Sequence, residues 1–250
     1  MSLRFPPVER LDPQELELAE GELHVWAVPL APPQERVQRL EKLLAQDELD
    51  RAYRFRFERH RRRFIVGRGV LRELLGAYLS APPEQLTFHY GDKGKPSLEP
   101  RWGGGRLAFN LSHSEELALY GLTLERELGI DVEHLRPMPD AEQIAERFFS
   151  ISERDTLRRI PPERKSDAFF NCWTRKEAYI KATGDGLSMP LDRFDVTLAP
   201  EDEARMISAE GDPAKAAQWT MYHLEPADGY VGALAVPANR WRLVCRSHNP

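Results

Sequence analysis

Cysteine is scarce in this chain: Cys172 and Cys245 are the only two in 250 residues. Their separation matches no metal-ligand or redox spacing, so a disulfide framework, a zinc site and a thiol redox centre are excluded, and two small buried hydrophobes are expected. Long apolar runs are also missing. No stretch approaches the length that spans a bilayer, and the opening Met1 to Asp12 carries prolines and charges where a leader would carry an apolar core, so a cytoplasmic protein with no membrane partner is expected. There is no G-x-S-x-G elbow, no P-loop and no Cys/His/Cys zinc pattern, which leaves no signature of a covalent enzyme intermediate. A net charge of −5 argues against a general nucleic-acid binder.

What is present describes a globular protein, with 41% hydrophobic and 30% charged residues and enough length for one large domain or two intimately packed halves. The charge is uneven. Nine arginines fall between Arg51 and Arg72, which is either a solvated basic helix face or a place where an anion docks.

Glu22 to Val28 reads as a first strand, and Val37, Leu40, Leu43 and Leu44 recur at helical spacing. A longer helix is expected from Arg61 to Leu79, stopped by Pro82 and Pro83. Alternation marks strands at Leu86–Tyr90, Leu107–Leu111, Leu117–Leu124 and Leu128–Glu133, with turns at Gly91–Pro96 and Gly103–Gly105. A helix is expected within Pro139–Phe149, a capping box at Ser152 and Asp155 opens another, and a long helix covers Glu163 to Thr183 with Gly184 as its cap. Strands follow at Phe194–Leu198, Gln218–Leu224, Tyr230–Val236 and Trp241–Arg246. Strands and helices in mixed order give an α+β fold. Each half holds about one long helix and several strands, which suggests a pair of similar halves, residues 1–127 and 128–250, although no residue-level repeat is visible.

The chemistry gathers around Trp173-Thr-Arg-Lys-Glu-Ala-Tyr-Ile-Lys181, where Trp173, Glu177 and Lys181 fall one turn above another on one helical face. Taken alone, Glu177 and Lys181 are a favourable solvent-facing pair. Asp131 and Glu133, two apart on a strand, share one face while Ile130 and Val132 share the other. Alone they fit an exposed edge. Together with Glu177 they offer three carboxylates from separate elements, the donor type that holds a hard cation such as Mg²⁺ beside substrate phosphates, with Lys181, Lys95, His113 and the arginines as counter-charges for a diphosphate. A buried polar run, Asn110-Leu-Ser-His-Ser114, demands partners.

These blocks resemble the Sfp-type 4'-phosphopantetheinyl transferases. Asn110-Leu-Ser-His-Ser114 with Gly94-Lys-Pro96, then Gly129-Ile-Asp-Val-Glu133, then the Trp173–Lys181 block carry the resemblance, supported by Arg147-Phe-Phe-Ser150 between the last two. It runs from about Arg51 to about Tyr230, and the length resembles the monomeric class of two similar halves. The resemblance implies transfer of the phosphopantetheine arm of coenzyme A to a serine of an apo acyl or peptidyl carrier protein. It implies that Asp131, Glu133 and Glu177 ligate Mg²⁺, that Glu177 is the base, and that Lys181 contacts the phosphate that changes bonding. Arg51, Arg63, Gly94, Lys95, Pro96, Ser112 and His113 would surround coenzyme A. Two positions depart from the pattern: Glu48 stands where a second basic group is common, and Phe64 replaces a small polar residue. The carrier is expected to dock near Arg136 to Phe149 on Met138, Ile144 and Arg136, with Phe148 and Phe149 in the core. A metal-dependent phosphodiesterase and a non-catalytic coenzyme A sensor are the competing classes.

Overall fold

The computed structural model describes residues 3–7, 16–91, 93–102, 105–184, 186 and 189–249. Most of the Met1–Asp12 opening and the glycines Gly103 and Gly104 lie outside them. The first half runs β1 (Leu3–Arg4), β2 (Glu22–Pro29), α1 (Gln34–Glu41), α2 (Gln46–Tyr53), α3 (Glu58–Leu79), β3 (Phe88–Tyr90), β4 (Pro96–Leu98), β5 (Leu107–Ser114) and β6 (Leu117–Leu124). The second runs β7 (Gly129–His134), α4 (Ala141–Phe148), α5 (Ile151–Arg159), α6 (Lys165–Thr183), β8 (Phe194–Val196), β9 (Met206–Ala209), α7 (Pro213–Ala216), β10 (Trp219–Glu225), β11 (Tyr230–Pro237) and β12 (Arg242–Ser247). This is an α+β fold.

Each half contains an antiparallel meander whose middle strand is the last of three: β6 lies between β2 and β5, and β11 between β10 and β7. The chain ends cross over. β1 joins the second sheet in parallel with β10, and β12 joins the first in parallel with β2, so each half receives its outermost strand from the far end of the chain. Alternation sorts the side chains into layers. On β2, Trp26 and Val28 pack with Val66, Val70 and Leu74 of α3, while Leu23, Val25 and Ala27 meet Ile130, Val132, Leu234 and Val236 of the other sheet. On β11, Val231, Ala233 and Ala235 turn to α6. The layers are therefore helix, sheet, sheet, helix. Cys172 is buried, Cys245 half-buried, and neither is paired.

A duplication invisible residue by residue is plain in the buried charges. Glu48, third residue of α2, accepts from Ala45 N at 3.0 Å and from Arg72 Nε at 2.6 Å, and the Arg72 guanidinium donates to the carbonyls of Pro83 and Leu86 and lies against the Phe88 ring. Glu153, third residue of α5, accepts from Ser150 N at 2.9 Å and pairs with Lys176 at 2.8 Å, and that ammonium donates to the carbonyls of Leu191 and Phe194 and lies over the Phe194 ring. One device is built twice. In each half an acid at the start of the short helix grips a cation of the long helix, which in turn holds the chain leaving it. The capping box of α5 is thus Ser150 with Glu153, two residues before the expected Ser152 and Asp155, because Glu153 is the acid that also has Lys176 to reach.

Helix α6 crosses β7 at Gly129. A β-carbon there would stand 2.0 Å from the Ala178 carbonyl oxygen and 2.3 Å from the Ala182 nitrogen, so only glycine, facing two alanines, lets helix and strand touch. Gly129→Ala is expected to force α6 outward and cost about 1–3 kcal/mol or more, the usual penalty for overpacking. Thermal unfolding checks this: the expected fall is about 2–4 °C per kcal/mol, with catalytic activity lost even where the fold survives.

Candidate functional site

The two sheets meet edge to edge where β5 runs beside β7, and the join is polar. Asn110 Oδ1 accepts from Ile130 N at 2.9 Å, Ser112 Oγ donates to Asp131 Oδ1 at 2.7 Å, and Ser114 Oγ donates to Glu133 Oε2 at 2.9 Å while accepting from His134 N. Three residues spaced by two on one strand face satisfy Ile130, Asp131, Glu133 and His134 of the neighbouring strand. These are the partners that the buried Asn110–Ser114 run demanded. Asn110 and Ser114 bear no expected role, yet they fix where the two acids of β7 stand.

Across this seam lies α6. Lys181 Nζ donates to Asp131 Oδ1 at 2.6 Å and to Ser112 Oγ at 2.9 Å, so one ammonium joins the helix to both sheets. Burial raises the pKa of Glu177 above its ordinary 4.5, and the charges of Asp131 and Glu133 raise it further against the opposing pull of Lys181. Burial likewise raises that of Glu133, partly offset by the Ser114 hydrogen bond. Asp131, Glu133 and Glu177 therefore feel one another across a single region, with Lys181 as the positive charge in it. Trp173 lies two turns before Lys181 on the same side, and its neighbours Arg175 and Lys176 turn the other way. Arg175 donates to the Thr197 carbonyl at 2.6 Å and Lys176 is the buried anchor of α6. The charge-rich block thus divides its labour: two cations hold the helix, and the glutamate and lysine that follow face the seam.

As a cation site the carboxylates offer the right donor atoms. Asp131 Oδ2 is buried without a hydrogen-bond donor, an arrangement that a cation relieves, and three carboxylates suit a hard divalent ion. Among the described residues no three acidic, imidazole or thiol side chains stand close enough to enclose an ion. The fit is one of donor chemistry.

The remaining residues are strung along β5. At its start, a cavity of about 570 Å³ is lined by Lys93, Lys95, Pro96, Phe109, Glu127 and Gly184 among others. Lys95 Nζ donates to Glu127 Oε2 at 2.7 Å, and Gly94, at φ +77°, makes the left-handed turn that brings Lys95 and Pro96 round. At the far end, about 13 Å along the strand from Phe109, His113 reaches solvent near Arg63 and His60 of α3. Its pKa is lowered by partial burial and then by the positive charges of Lys181 and Arg63, so it is more readily neutral than a free imidazole. The Arg63 guanidinium is engaged by Glu115 and Glu116. Arg51 lies 5.3 Å over the Phe64 ring, which gives that aromatic replacement a use as a platform for the cation. Ser112 and Lys181 lie between the two ends. Glu48 is the departure that the structure explains fully: it faces the core, and takes no part in the line along β5.

The model of the 4'-phosphopantetheinyl transferase superfamily matches residues 127–235, and that of the 4'-phosphopantetheinyl transferase N-terminal region matches residues 30–121. The chain is 45% identical over 230 residues to 4'-phosphopantetheinyl transferase HetI of Nostoc sp., covering 92% of this chain and 94% of that protein. It belongs to the 4'-phosphopantetheinyl transferase family. Identity is 31% over 210 residues with 4'-phosphopantetheinyl transferase psf-1 of Bacillus pumilus, covering 82% of this chain and 87% of that one. It is 29% over 165 residues with 4'-phosphopantetheinyl transferase Sfp of Bacillus subtilis, covering 66% and 71%. The two matched regions meet near the β6–β7 connection, on either side of the seam. As a phosphopantetheinyl transferase, the chain is an enzyme of group transfer, and the seam is the place where its acids, its lysine and a cavity adjoin.

The raised pKa of Glu177 fixes a sign. Stability from such a group is fully present below its ordinary value, where it is protonated in both states, and is lost as pH rises through the higher folded value. Glu177→Gln removes that loss. In chelator, the variant is expected to melt above the wild type near pH 7, with the two converging toward about pH 4. A melting difference independent of pH would show that burial of the charge is not what strains the site.

Proposed function

We propose that this enzyme transfers the 4'-phosphopantetheine arm of coenzyme A to a serine hydroxyl of an apo acyl or peptidyl carrier protein, releasing adenosine 3',5'-bisphosphate. The observation that carries the reading is Lys181, which is held by Asp131 and Ser112 at the join of the two sheets, with Glu177 one helical turn before it. Lys181 is the cation for the phosphate that changes bonding. Glu177, its pKa raised toward neutrality by burial, takes the serine proton as the serine oxygen bonds to the phosphorus nearer the pantetheine, and the bond to the adenosine bisphosphate breaks. His113, Arg63, Arg51, Lys95, Gly94 and Pro96 flank the line along which the diphosphate and the adenosine phosphate lie, and Ser112 orients Lys181. Mg²⁺, held by Asp131, Glu133 and Glu177, would supply charge neutralisation to the diphosphate. We read the enzyme as a cytoplasmic monomer; no described helix is long and apolar enough to cross a membrane.

The carrier dock belongs beside Glu177, and the exposed apolar surface there differs from the expected one. Met138 and Ile144 are partly buried against the core of the second half, and Phe149 is 1% exposed, whereas Phe148 is 40% and Ile151 71% exposed. Phe148 meets the edge of Trp173 at 5.7 Å, one turn from Glu177. Phe148 is the last residue of α4 and Phe149 its C-cap in extended backbone, so the chain turns the second ring inward and leaves the first outside. Phe148 and Ile151, with Arg147 beside Phe148 in the chain, replace Met138 as the surface for an acidic helical carrier.

The direct test is to incubate the protein with coenzyme A, Mg²⁺ and an apo carrier and weigh the carrier by mass spectrometry. The added phosphopantetheine arm is expected; an unmodified carrier under saturating conditions refutes the reading. Asp131→Ala is expected to abolish transfer while leaving a folded protein, and Glu177→Gln to bind coenzyme A in calorimetry yet transfer at least about a hundredfold more slowly, the scale of a lost general base. Full turnover in either variant counts against these roles. Phe148→Asp is expected to raise the KM for the carrier about tenfold or more, with coenzyme A affinity and melting temperature close to wild type. Unchanged carrier kinetics place the dock elsewhere.

A further inference from the structure

The duplicated anchor is not identical in the two halves, and the difference points toward the substrate. In the second half the spare oxygen of the buried acid is used by the backbone: Glu153 Oε1 accepts from Val196 N at 2.8 Å. In the first half it is used by an additional cation. Glu48 Oε1 accepts from Arg68 Nε at 2.6 Å, and Arg68 continues outward to donate to the hydroxyl of Tyr90 at 2.9 Å. Arg68 lies against the Phe88 ring at 4.7 Å, so its guanidinium holds both ends of β3. Strand β3 is one arm of the hairpin whose other arm begins at Pro96, which stands opposite Tyr90 in register. The turn between them is closed by Gly91 N on the Lys95 carbonyl at 3.1 Å. Lys95 and Pro96 line the cavity at the start of β5. Glu48 and Arg68 are buried at 2% and 7% exposure, while Tyr90 is 38% exposed. The chain of contacts therefore runs from the core to the rim of that cavity.

The second half has the same acid, the same cation–carbonyl clamp and the same ring, with Lys176 at Phe194, the start of β8, and a second α6 cation, Arg175, at the Thr197 carbonyl just past its end. The halves differ in the link: Glu153 gives its spare oxygen to Val196 N, whereas Glu48 gives its own to Arg68, the cation that reaches the exposed end of β3 at Tyr90. An isolated two-stranded hairpin is marginally stable, so β3–β4 takes its position from what grips it. We propose that Glu48, through Arg68 and Tyr90, is a positioning residue for the β3–β4 hairpin and sets the height at which Lys95 meets the phosphates of coenzyme A. Glu48 acts through the hairpin and touches no substrate. This rests on the coenzyme A reading above, and it makes the acid at this position a substitute in function for a directly contacting base. Lys95 is already steadied by Glu127, so the relay sets where the backbone of the turn lies, and Glu127 sets the direction of the ammonium.

The test separates coenzyme A from carrier kinetics. Tyr90→Phe removes one hydroxyl from a partly exposed ring and leaves the anchor of α3 intact; Glu48→Gln keeps the shape and removes the charge that both arginines share. Both are expected to raise the KM for coenzyme A, and its calorimetric Kd, about three- to tenfold, the loss of one well-placed charge-assisted contact. kcat and the KM for the apo carrier are expected to stay within about twofold of wild type. A lowered melting temperature with unchanged coenzyme A constants overturns the proposal and leaves Glu48 a structural residue; equal effects on both substrates overturn it too. Should Glu48→Gln fail to fold, Tyr90→Phe decides alone. Wild-type protein that neither binds coenzyme A nor modifies a carrier refutes the functional reading and this inference together, whereas active wild type with unaffected variants refutes the inference only.

Discussion

Two buried carboxylates hold the architecture in place. Glu48 and Glu153 each sit at 2% exposure at the head of a short helix, and each binds the cation that fixes a long helix to the chain emerging from it. Breaking such a pair by removing one partner leaves a charge in the core and costs roughly 3–5 kcal/mol, a large share of what holds a domain together. The cost of burying these charges is met by near-complete satisfaction: the Lys176 ammonium donates to two carbonyls as well as to Glu153, and Arg72 does the same with Pro83 and Leu86. With α3 and α6 fixed in this way, the faces that they present to their sheets are fixed too.

The face of α6 that meets the seam follows from one such placement. Lys176 is locked in the core, so Glu177, the next residue, must turn about 100° around the helix and Lys181 lies one turn farther on. Gly129 then admits the helix close enough for Lys181 to reach Asp131, and the ladder of Asn110, Ser112 and Ser114 brings the second sheet to the same point. The site is assembled from both halves, with Asp131, Glu133 and Lys181 each held by a side chain of another element. Residues that anchor the helix and residues that face the seam are consecutive in the sequence because a helix turns them apart.

Much of this was legible beforehand, for physical reasons that can be named. The strands at Leu117–Leu124 and Tyr230–Pro237 and the helix ending at Gly184 announce themselves by period and cap, and Asp131 with Glu133 share a face because the strand period is two. Helix α2 was missed because its burial rests on Glu48 and Ala52, and no apolar stripe marks it. The crossing of β1 and β12 between sheets is invisible because a parallel edge strand needs only a free edge, and nothing in its own residues says which sheet supplies it. Phe148 and Phe149 are the same residue type side by side, and the end of α4 falling between them separates the exposed ring from the buried one. In sequence Glu48 is only a departure from the family pattern, an acid where a second basic group is common; its partners Arg68 and Arg72 lie twenty and twenty-four residues on, beyond any local rule.

The comparison of the halves also shows where the two copies part in their charges. Where α3 faces β2, the place that Asp131 and Lys181 hold in the second half is taken by His24 and Trp26 around the hydroxyl of Tyr78, at 2.6 and 3.0 Å. Burial first, and then the charge of Arg246, lowers the His24 pKa, while burial pushes Tyr78 up to about 12, so both groups are neutral near pH 7 and satisfy each other. That copy has closed its polar contact inside the core. The other copy faces its charged groups into the join between sheets, where Asp131 Oδ2 has no protein donor and three acids share one ammonium. The proposed chemistry falls in the half whose charges its own fold leaves uncompensated, because those are the charges that would gain by meeting an anionic substrate and its counter-ion.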